Sequence, residues 1–271
     1  MKIEDLHNHI SIMGILNVTP DSFSDGGNYN QVEAALAQVK QLLEAGANVI
    51  DVGGESTRPG ASFVTEEEEI QRVVPIIKAI KENFDCLVSI DTYKTNTAKA
   101  ALEAGADILN DVWAGLYDGQ MLKLAAERQV PIILMHNQAE EGYTDIVTEV
   151  KNFLKERIEA ALEAGIQPQH IWVDPGFGFA KDANDNLELL HGLEAITALG
   201  YPVLFGISRK RVVDHLLGGN TLASQRDQAT AALSAFAIQK GCQMVRVHNV
   251  KANRDIVKVW SQLKEGERKN G

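Results

Sequence analysis

The stretch LEAGANVID, at residues 43 to 51, joins the end of a helical pattern to the start of a strand pattern. A glycine that closes an amphipathic segment is a common helix C-terminal signal, and the short apolar run after it is typical of a strand. The same arrangement returns as LEAGADILN at residues 102 to 110, and LEAGIQ at 162 to 167 ends a third helical pattern. These repeats predict helix-strand units that recur along the chain.

Eight short apolar runs are candidate strands, and helical patterns separate them. The runs lie at residues 12 to 18, 48 to 53, 87 to 92, 107 to 112, 131 to 136, 171 to 175, 202 to 208 and 244 to 250. Strands that alternate with helices form parallel sheets, and eight units of about 30 residues match a closed barrel. We therefore predict an α/β fold, a (β/α)8 TIM barrel, with residues 1–271 as one domain. The alternative is an open doubly wound sheet, which more often carries a glycine-rich turn after its first strand.

Composition narrows the classes of partner. The 271 residues carry a formal net charge of -11, which disfavours nucleic acid and anionic lipid as partners because both are bound by clustered cations. No apolar run is long enough for a membrane span, and the N-terminal stretch lacks a signal-peptide pattern. Cys86 and Cys242 lack metal-ligand spacing and are interpreted as core residues. We expect a cytoplasmic protein.

Every predicted strand ends in a polar or charged group. These residues are Asn17, Asp51, Asp91, Asn110 with Asp111, His136, Asp174, Ser208 with Lys210, and Arg246 with His248. Any one of them alone is more simply interpreted as a helix cap or turn residue. The C-terminal strand ends of such a barrel meet on one rim, so all eight together predict a polar ligand pocket.

The residue types indicate what the pocket binds. Arg246 and His248 alternate on the last strand and suit an anionic oxygen cluster such as phosphate, although an ion pair with a neighbouring acid is the alternative for Arg246. Asn17, on the adjacent first strand, has an oxygen that could ligate Mg²⁺ together with phosphate oxygens. The remaining carboxylate and amide groups can pair with a flat heterocycle that carries N–H donors.

Two long segments follow the first and second strands. TPDSFSDGG occupies residues 19 to 27 and GESTRPGASFV residues 54 to 64, and both mix glycine or proline with polar side chains. Long loops on the active face of a barrel are candidate lids, whereas solvated turns are the alternative. Thr65 followed by Glu68 predicts a capping box, which makes the acidic run at 66 to 69 structural.

Seven motifs, in order along the chain, resemble those of the dihydropteroate synthase family of pterin-binding enzymes. They are MGILNVTPDSFSDGG (13 to 27), DVGGESTRPG (51 to 60), SIDTYK (89 to 94), ILNDVW (108 to 113), DPGFGFAK (174 to 181), GISRKR (206 to 211) and VRVHNV (245 to 250). The resemblance implies a folate-pathway transferase. Such an enzyme joins p-aminobenzoate to the methylene carbon of 6-hydroxymethyl-7,8-dihydropterin diphosphate and releases diphosphate and dihydropteroate.

The resemblance also implies roles for single residues. It places the pterin at Asp91, Asn110, Met135, Asp174, Phe179 and Lys210, and the diphosphate at Asn17, Thr57, Arg58, Arg246 and His248. It places p-aminobenzoate at Phe23, Pro59, Phe179, Ser208 and Lys210, with Asp25, Thr57, Arg58 and Lys210 as catalytic residues. Mg²⁺ at Asn17 is the implied cofactor. A homodimer is expected on the same ground.

Two departures and three rival functions accompany this resemblance. The chain has MHNQ after the fifth strand and HNV after the eighth, where relatives often have MHM and HDV.

A pterin-dependent methyltransferase would not need SFSDGG, STRPG or a diphosphate site. A metal hydrolase would need the His7-Asn8-His9 triplet after the first strand, whereas it precedes that strand, so we interpret it as a solvated terminal segment. An inactive homologue is the third rival.

Overall fold

The computed structural model describes residues 2–7, 9–19, 28–56 and 61–270. Its strands are β1 Ser11–Asn17, β2 Val49–Gly53, β3 Leu87–Asp91, β4 Ile108–Asp111, β5 Ile132–Met135, β6 Ile171–Asp174, β7 Leu204–Phe205 and β8 Met244–Val247. All pairings are parallel, in the order β6-β5-β4-β3-β2-β1-β8-β7. A bridge between Val173 and Val203 brings β6 against the start of β7 and closes the circle.

The predicted (β/α)8 barrel is therefore confirmed, and the open doubly wound alternative is wrong. Helices alternate with the strands around the outside: α1 Asn28–Ala45, α2 Glu66–Asn83, α3 Thr95–Glu103, α4 Met121–Arg128, α5 Ile146–Glu163, α6 Ala183–His191, α7 Leu193–Thr197, α8 Arg211–Leu216, α9 Asp227–Gln239 and α10 Val250–Asn270. That residues 1–271 form one domain stays a prediction. Within the described ranges, no helix is both long and apolar enough to cross a bilayer.

Helix ends follow the local signals in the sequence. Gly46, Gly105 and Gly165 adopt φ values of 109°, 109° and 95°, the left-handed backbone that favours glycine after a helix. At the start of α2, the Thr65 side chain accepts a hydrogen bond from the Glu68 backbone N–H, which confirms the N-cap half of the predicted capping box, whereas the Glu68 side chain pairs with Arg72. These ends fix where each chain segment turns back into the next strand.

Two predicted strands are too long. The seventh run was predicted to extend from 202 to 208, yet β7 keeps only two residues, because a turn from Ile207 to Lys210 follows, closed by the Lys210 N–H on the Ile207 carbonyl oxygen at 3.2 Å. The eighth run ends at Val247, because the Asn249 side chain accepts the Ala252 N–H and thereby caps α10. His248 thus lies one residue beyond β8 rather than on it.

The lower barrel interior is a closed apolar layer. One side chain from each strand contributes to it, and together they are Met13, Val49, Leu87, Ile108, Ile133, Trp172, Leu204 and Met244. A short 3-10 helix, Ile3–His7, lies against this layer from below, and Leu6 is buried in it. His7 Nε2 lies 2.6 Å from the Gln169 carbonyl oxygen, and its ring lies against Trp172. Our interpretation of the His7-Asn8-His9 triplet as solvated is wrong for His7, which packs against the barrel floor, whereas His9 is exposed and Asn8 lies outside the described residues.

Leu6→Ala should reveal how much this floor contributes. Leu6 is 1% exposed, so its truncation leaves a cavity and should lower the free energy of unfolding by about 2–5 kcal/mol. Leu263→Ala is the matched control, because Leu263 is 55% exposed and its loss should cost within about 0.5 kcal/mol. Urea unfolding measures both. Equal, small effects in the two variants would contradict the buried floor.

Candidate active site

Strand register places a polar layer directly above the apolar floor. Alternate residues of a strand face the same side, so positions two or four residues beyond the apolar layer also face the barrel interior. Asn110, Met135 and Asp174 are two residues beyond it, and Asp91 is four residues beyond Leu87. Pairing aligns Asp91 with Asn110, and Met135 with Asp174. All four are buried. The structure therefore brings together these four residues, which the resemblance assigns to the pterin.

Arg246 joins two buried acids at the centre of this layer. Its Nε donates to Asp51 Oδ2 and its Nη2 to Asp91 Oδ2, each at 2.6 Å. Asn110 Nδ2 adds a weaker contact of 3.3 Å to Asp51 Oδ2. Burial raises the pKa of the Asp91 carboxyl, and the Arg246 guanidinium opposes that rise. The ion pair considered from the sequence is therefore present, and Arg246 remains 19% exposed at its side chain.

One oxygen of Asp91 has no partner. Asp91 Oδ1 is buried and accepts no hydrogen bond within the described part of the chain. A buried carboxylate oxygen without a donor is costly, and such groups are few in native structures. An N–H donor on a ligand in the barrel mouth would remove this cost.

Asp174 fits tightly under the same mouth. Its Oδ1 accepts the Gly176 N–H at 2.7 Å, and a Cβ added at Gly206 would lie 3.3 Å from its Oδ2. Glycine at 206 thus provides the space for this carboxylate. Burial raises the pKa of Asp174, while the nearby positive charge of Lys210 lowers it.

Lys210 lies at the edge of the layer, beside an aromatic ring. Its Nζ donates to the Phe177 carbonyl oxygen at 2.5 Å and stands 4.4 Å from the centre of the Phe179 ring. Burial lowers its pKa to about 8, although the Asp174 charge opposes the change. Lys210 and Phe179 form a flat, cationic wall, in agreement with their assignment to both organic substrates.

Ser208 and His248 lie together beyond the strand ends. Ser208 Oγ is 2.9 Å from His248 Nδ1 and also accepts the His248 backbone N–H at 3.2 Å. Ser208 was assigned to p-aminobenzoate and His248 to diphosphate. Their contact makes the two predicted subsites neighbours.

Asn17, the last residue of β1, was predicted to ligate Mg²⁺. Its Oδ1 lies 3.8 Å from the position a Cβ would take on Gly53, which aligns with Asp91 in the register. Across the described residues, no group of three or more His, Cys, Asp or Glu side chains could hold a metal. The donors present fit an ion that takes one protein oxygen and draws its other ligands from substrate phosphate and water, as Mg²⁺ does.

Five predicted site residues cannot be placed. Phe23, Asp25, Thr57, Arg58 and Pro59 lie outside the described residues. Their assignments, and the prediction that the two loops are lids, stay predictions.

No role was predicted for Lys181, and the role of His136 was left open. Lys181 is buried, and its Nζ lies 2.9 Å from His136 Nδ1 and 3.0 Å from the carbonyl oxygens of both Gly176 and Phe179. Burial lowers its pKa to about 7 and that of His136 to about 3. This lysine ties the end of β5 to the turn that carries Phe179. The one sequence signal was its place at the end of DPGFGFAK.

Comparisons with known proteins agree with this geometry. The sequence matches the family described as pterin binding enzyme over residues 13–248. It is 68% identical to the dihydropteroate synthase of Streptococcus pyogenes serotype M1, over 95% of this chain and 97% of that protein. Among solved structures, Xanthomonas albilineans dihydropteroate synthase with 4-aminobenzoic acid gives a TM-score of 0.90 at 45% identity, covering 95% of this chain and 94% of that one. The same enzyme in complex with 7,8-dihydropteroate gives 0.87 at 42% identity, covering 97% and 95%.

His136→Gln should make stability less sensitive to acid. Folded His136 stays neutral down to about pH 3, whereas the unfolded residue takes up a proton below its ordinary pKa of 6.5. The unfolded state then binds one more proton, so the unfolding free energy of the native chain falls as pH drops through 6.5. Glutamine can still accept from Lys181 but does not titrate.

Urea unfolding at pH 6.5, 5.5 and 4.5 tests this. The slope of unfolding free energy against pH should be shallower in the variant by up to about 1.4 kcal/mol per pH unit. Other titrating groups are common to both proteins and cancel in the difference. Parallel slopes would show that His136 takes up its proton in the folded state as well.

Proposed function

The chain belongs to the pterin-binding enzymes, and among them to the dihydropteroate synthases, and from this premise we propose how its barrel carries out the transfer. It is a transferase that makes 7,8-dihydropteroate from p-aminobenzoate and a pterin diphosphate. The amine nitrogen of p-aminobenzoate bonds to the pterin methylene carbon, the carbon–oxygen bond to diphosphate breaks, and the amine loses a proton.

The pterin binds in the polar layer of the barrel mouth. The observation that carries this assignment is the unpaired, buried Oδ1 of Asp91, on the same interior face as Asn110 and Asp174. A dihydropterin presents an amino group and ring N–H donors along one edge, and carboxylate oxygens accept such donors. Asp174 supplies a second buried carboxylate under the mouth. These acceptors hold the ring flat, with its methylene directed towards the strand-end cations.

p-Aminobenzoate binds beside the pterin. Lys210 and the Phe179 ring provide a wall that suits an aromatic carboxylate, because the cation attracts the carboxylate and the ring packs on the aromatic face. Ser208 lies next to His248, so the amine approaches where the diphosphate leaves. Phe23 and Pro59 complete this subsite by family resemblance.

The diphosphate binds at Asn17, Arg246 and His248, with Thr57 and Arg58 from the second loop. Asn17 is the residue that would hold Mg²⁺, and the ion would supply charge neutralisation there. Arg246 already balances Asp51 and Asp91, so its guanidinium holds the layer together as well as offering positive charge to the mouth. Cationic groups aimed at the leaving oxygens stabilise the charge that develops on them.

We favour a dissociative, SN1-like step. The electron-rich pterin can stabilise a cation at its methylene carbon once diphosphate departs, and the weakly nucleophilic aryl amine then attacks that carbon. Water would capture the same cation, so its exclusion decides the product. We assign this exclusion to the loops that contain Asp25, Thr57 and Arg58, as the resemblance implies.

Three further attributes belong to the proposal. We assign the protein to the cytoplasm, because both of its cysteines are buried in the core, a usage that suits a reducing compartment. We expect a homodimer from the family resemblance. Small-molecule substrates are the partners, and neither nucleic acid nor membrane is assigned.

Asp174→Ala should abolish binding of the pterin diphosphate, because it removes a buried acceptor from the heterocycle. Isothermal titration calorimetry measures the affinity. Asp85→Asn is the control, since Asp85 is exposed and lies ahead of β3, at the opposite end of the barrel. Unchanged affinity in the Asp174 variant would remove this residue from the pterin site.

Product formation by the purified protein tests the function itself. The native chain with the pterin diphosphate, p-aminobenzoate and Mg²⁺ should yield dihydropteroate and diphosphate in equal amounts, measured by chromatography. EDTA should slow the reaction and excess Mg²⁺ should restore it. Full activity in the chelator would show that the reaction does not need the metal. Tight pterin binding without product would identify an inactive homologue.

A further inference from the structure

A lysine is completely buried beside the active-site mouth, between two carboxylates. The Lys94 side chain is 0% exposed, and its Nζ lies 2.6 Å from Glu55 Oε2 and 2.8 Å from Glu69 Oε2. Burial raises the pKa of Glu69, whereas the carboxylates raise the pKa of Lys94 above its usual value despite burial. We call Lys94, Glu55 and Glu69 the buried triad. None of its members was assigned a role from the sequence.

The triad connects three separate parts of the barrel. Lys94 follows β3, three residues after Asp91, and it precedes α3. Glu69 lies in the first turn of α2, and Glu55 lies two residues after the end of β2. The ammonium thus joins the segment that leaves β2 to the segment that leaves β3.

Glu55 also connects the two ends of the second loop. While its Oε2 contacts Lys94, its Oε1 accepts the Val64 backbone N–H at 3.0 Å. Residues 55 and 64 stand on either side of positions 57–60. A hydrogen bond between them fixes the described residues on either side of this stretch relative to each other.

Neighbouring contacts make the exit from β2 rigid. The Arg72 guanidinium donates to the Gly54 carbonyl oxygen at 2.7 Å. A Cβ on Gly54 would lie 2.8 Å from Val73 Cγ1, so the backbone packs directly on α2. The Lys94 ammonium also stands 5.0 Å from the Phe63 ring, near the other end of the loop.

A purely structural role does not require this arrangement. Contact between Lys94 and Glu69 alone would join α3 to α2, and buried ion pairs often add little net stability because desolvation offsets their attraction. The second carboxylate, that of Glu55, also connects this pair to both ends of the loop. Buried, fully paired charges are well suited to fixing one geometry.

We propose that Lys94 is a positioning residue for the transfer reaction. Through Glu55 and Glu69 it holds residues 55 and 64, which flank Thr57 and Arg58 in the chain. This rests on the proposed function of those two residues. A small misplacement of a positioned group can reduce turnover strongly, so the triad should affect catalysis more than pterin affinity.

The main test compares two lysine-to-methionine variants. Lys94→Met removes the buried cation, and Lys81→Met is its matched control, because Lys81 Nζ also contacts a carboxylate, Asp107 Oδ2 at 2.9 Å, but does so beside the N-terminal strand ends. In Lys94→Met, kcat/KM for p-aminobenzoate should fall about 10- to 100-fold with pterin diphosphate affinity retained. Lys81→Met should keep native kinetics.

A second variant and a second measurement keep the test decisive if Lys94→Met does not fold. Glu55→Gln keeps an oxygen for the Val64 N–H but removes the charge that Lys94 holds, so it should change the kinetics in the same direction by a smaller factor. Amide exchange at Val64 reports the loop ends without any turnover. In Lys94→Met it should be faster by about five- to tenfold, the change expected from the loss of one hydrogen bond, and native in Lys81→Met.

Each outcome decides the proposal. Slower turnover with faster Val64 exchange in Lys94→Met, neither of which occurs in Lys81→Met, supports it. Native kinetics and native exchange in a folded Lys94→Met overturn it, and leave the triad only a role in stability. If Lys94→Met does not fold, Glu55→Gln decides by the same two measurements. If the native chain makes no product, the proposed function fails, and Val64 exchange alone decides whether the triad anchors the loop.

Discussion

The guanidinium of Arg246 lies between Asp51 and Asp91, and the polar half of the barrel interior depends on this contact. Two carboxylates cannot stay ionised side by side under low solvent exposure unless a cation is shared between them. Arg246 shares its charge through separate nitrogen atoms, and one oxygen of Asp91 has no donor among the residues that the structure describes. The same ion pair that holds the layer together therefore leaves an acceptor for the substrate.

Three lysines surround this layer, of which Lys94 and Lys181 are buried and Lys210 is half-buried, and each is accommodated differently. Lys94 is held by two carboxylates and stays charged. Lys181 has neutral acceptors, an imidazole nitrogen and carbonyl oxygens, and burial lowers its pKa to about 7. Lys210 lies over an aromatic ring within reach of the charge on Asp174. The three ammonium groups near the mouth of the barrel therefore differ in how firmly they keep their proton. Such a range suits a site that binds a neutral ring, a carboxylate and a diphosphate together.

The sequence predicted the repeating architecture well, because strand and helix periods are local. The glycine that ends each LEAG motif and the polar residue at the end of each strand are also local signals, and the structure shows the barrel that they predict. The shortness of β7 was not predictable in this way, since PVLFGIS has a strand-like composition and only the turn from Ile207 to Lys210 interrupts it. The end of β8 was likewise set by a cap, at Asn249, that a strand pattern conceals.

Lys94 and Lys181 were missed for a different reason. A lysine on a polar stretch is ordinarily solvated, and the acids that bury Lys94 lie 39 and 25 residues away in the chain. Sequence spacing does not reveal such partners until the barrel brings α2 and α3 side by side. His136 was visible at a strand end, but its neighbour Lys181 stands 45 residues further on.

The short helix Ile3–His7 has a practical consequence for handling the protein. It lies at the end of the barrel opposite the mouth, with Leu6 inserted among the floor residues and His7 against Gln169. An affinity tag or surface tether joined ahead of Lys2 would emerge on that far side. Immobilised through this end, the molecule would present its mouth to the solution, so that small ligands could enter unobstructed.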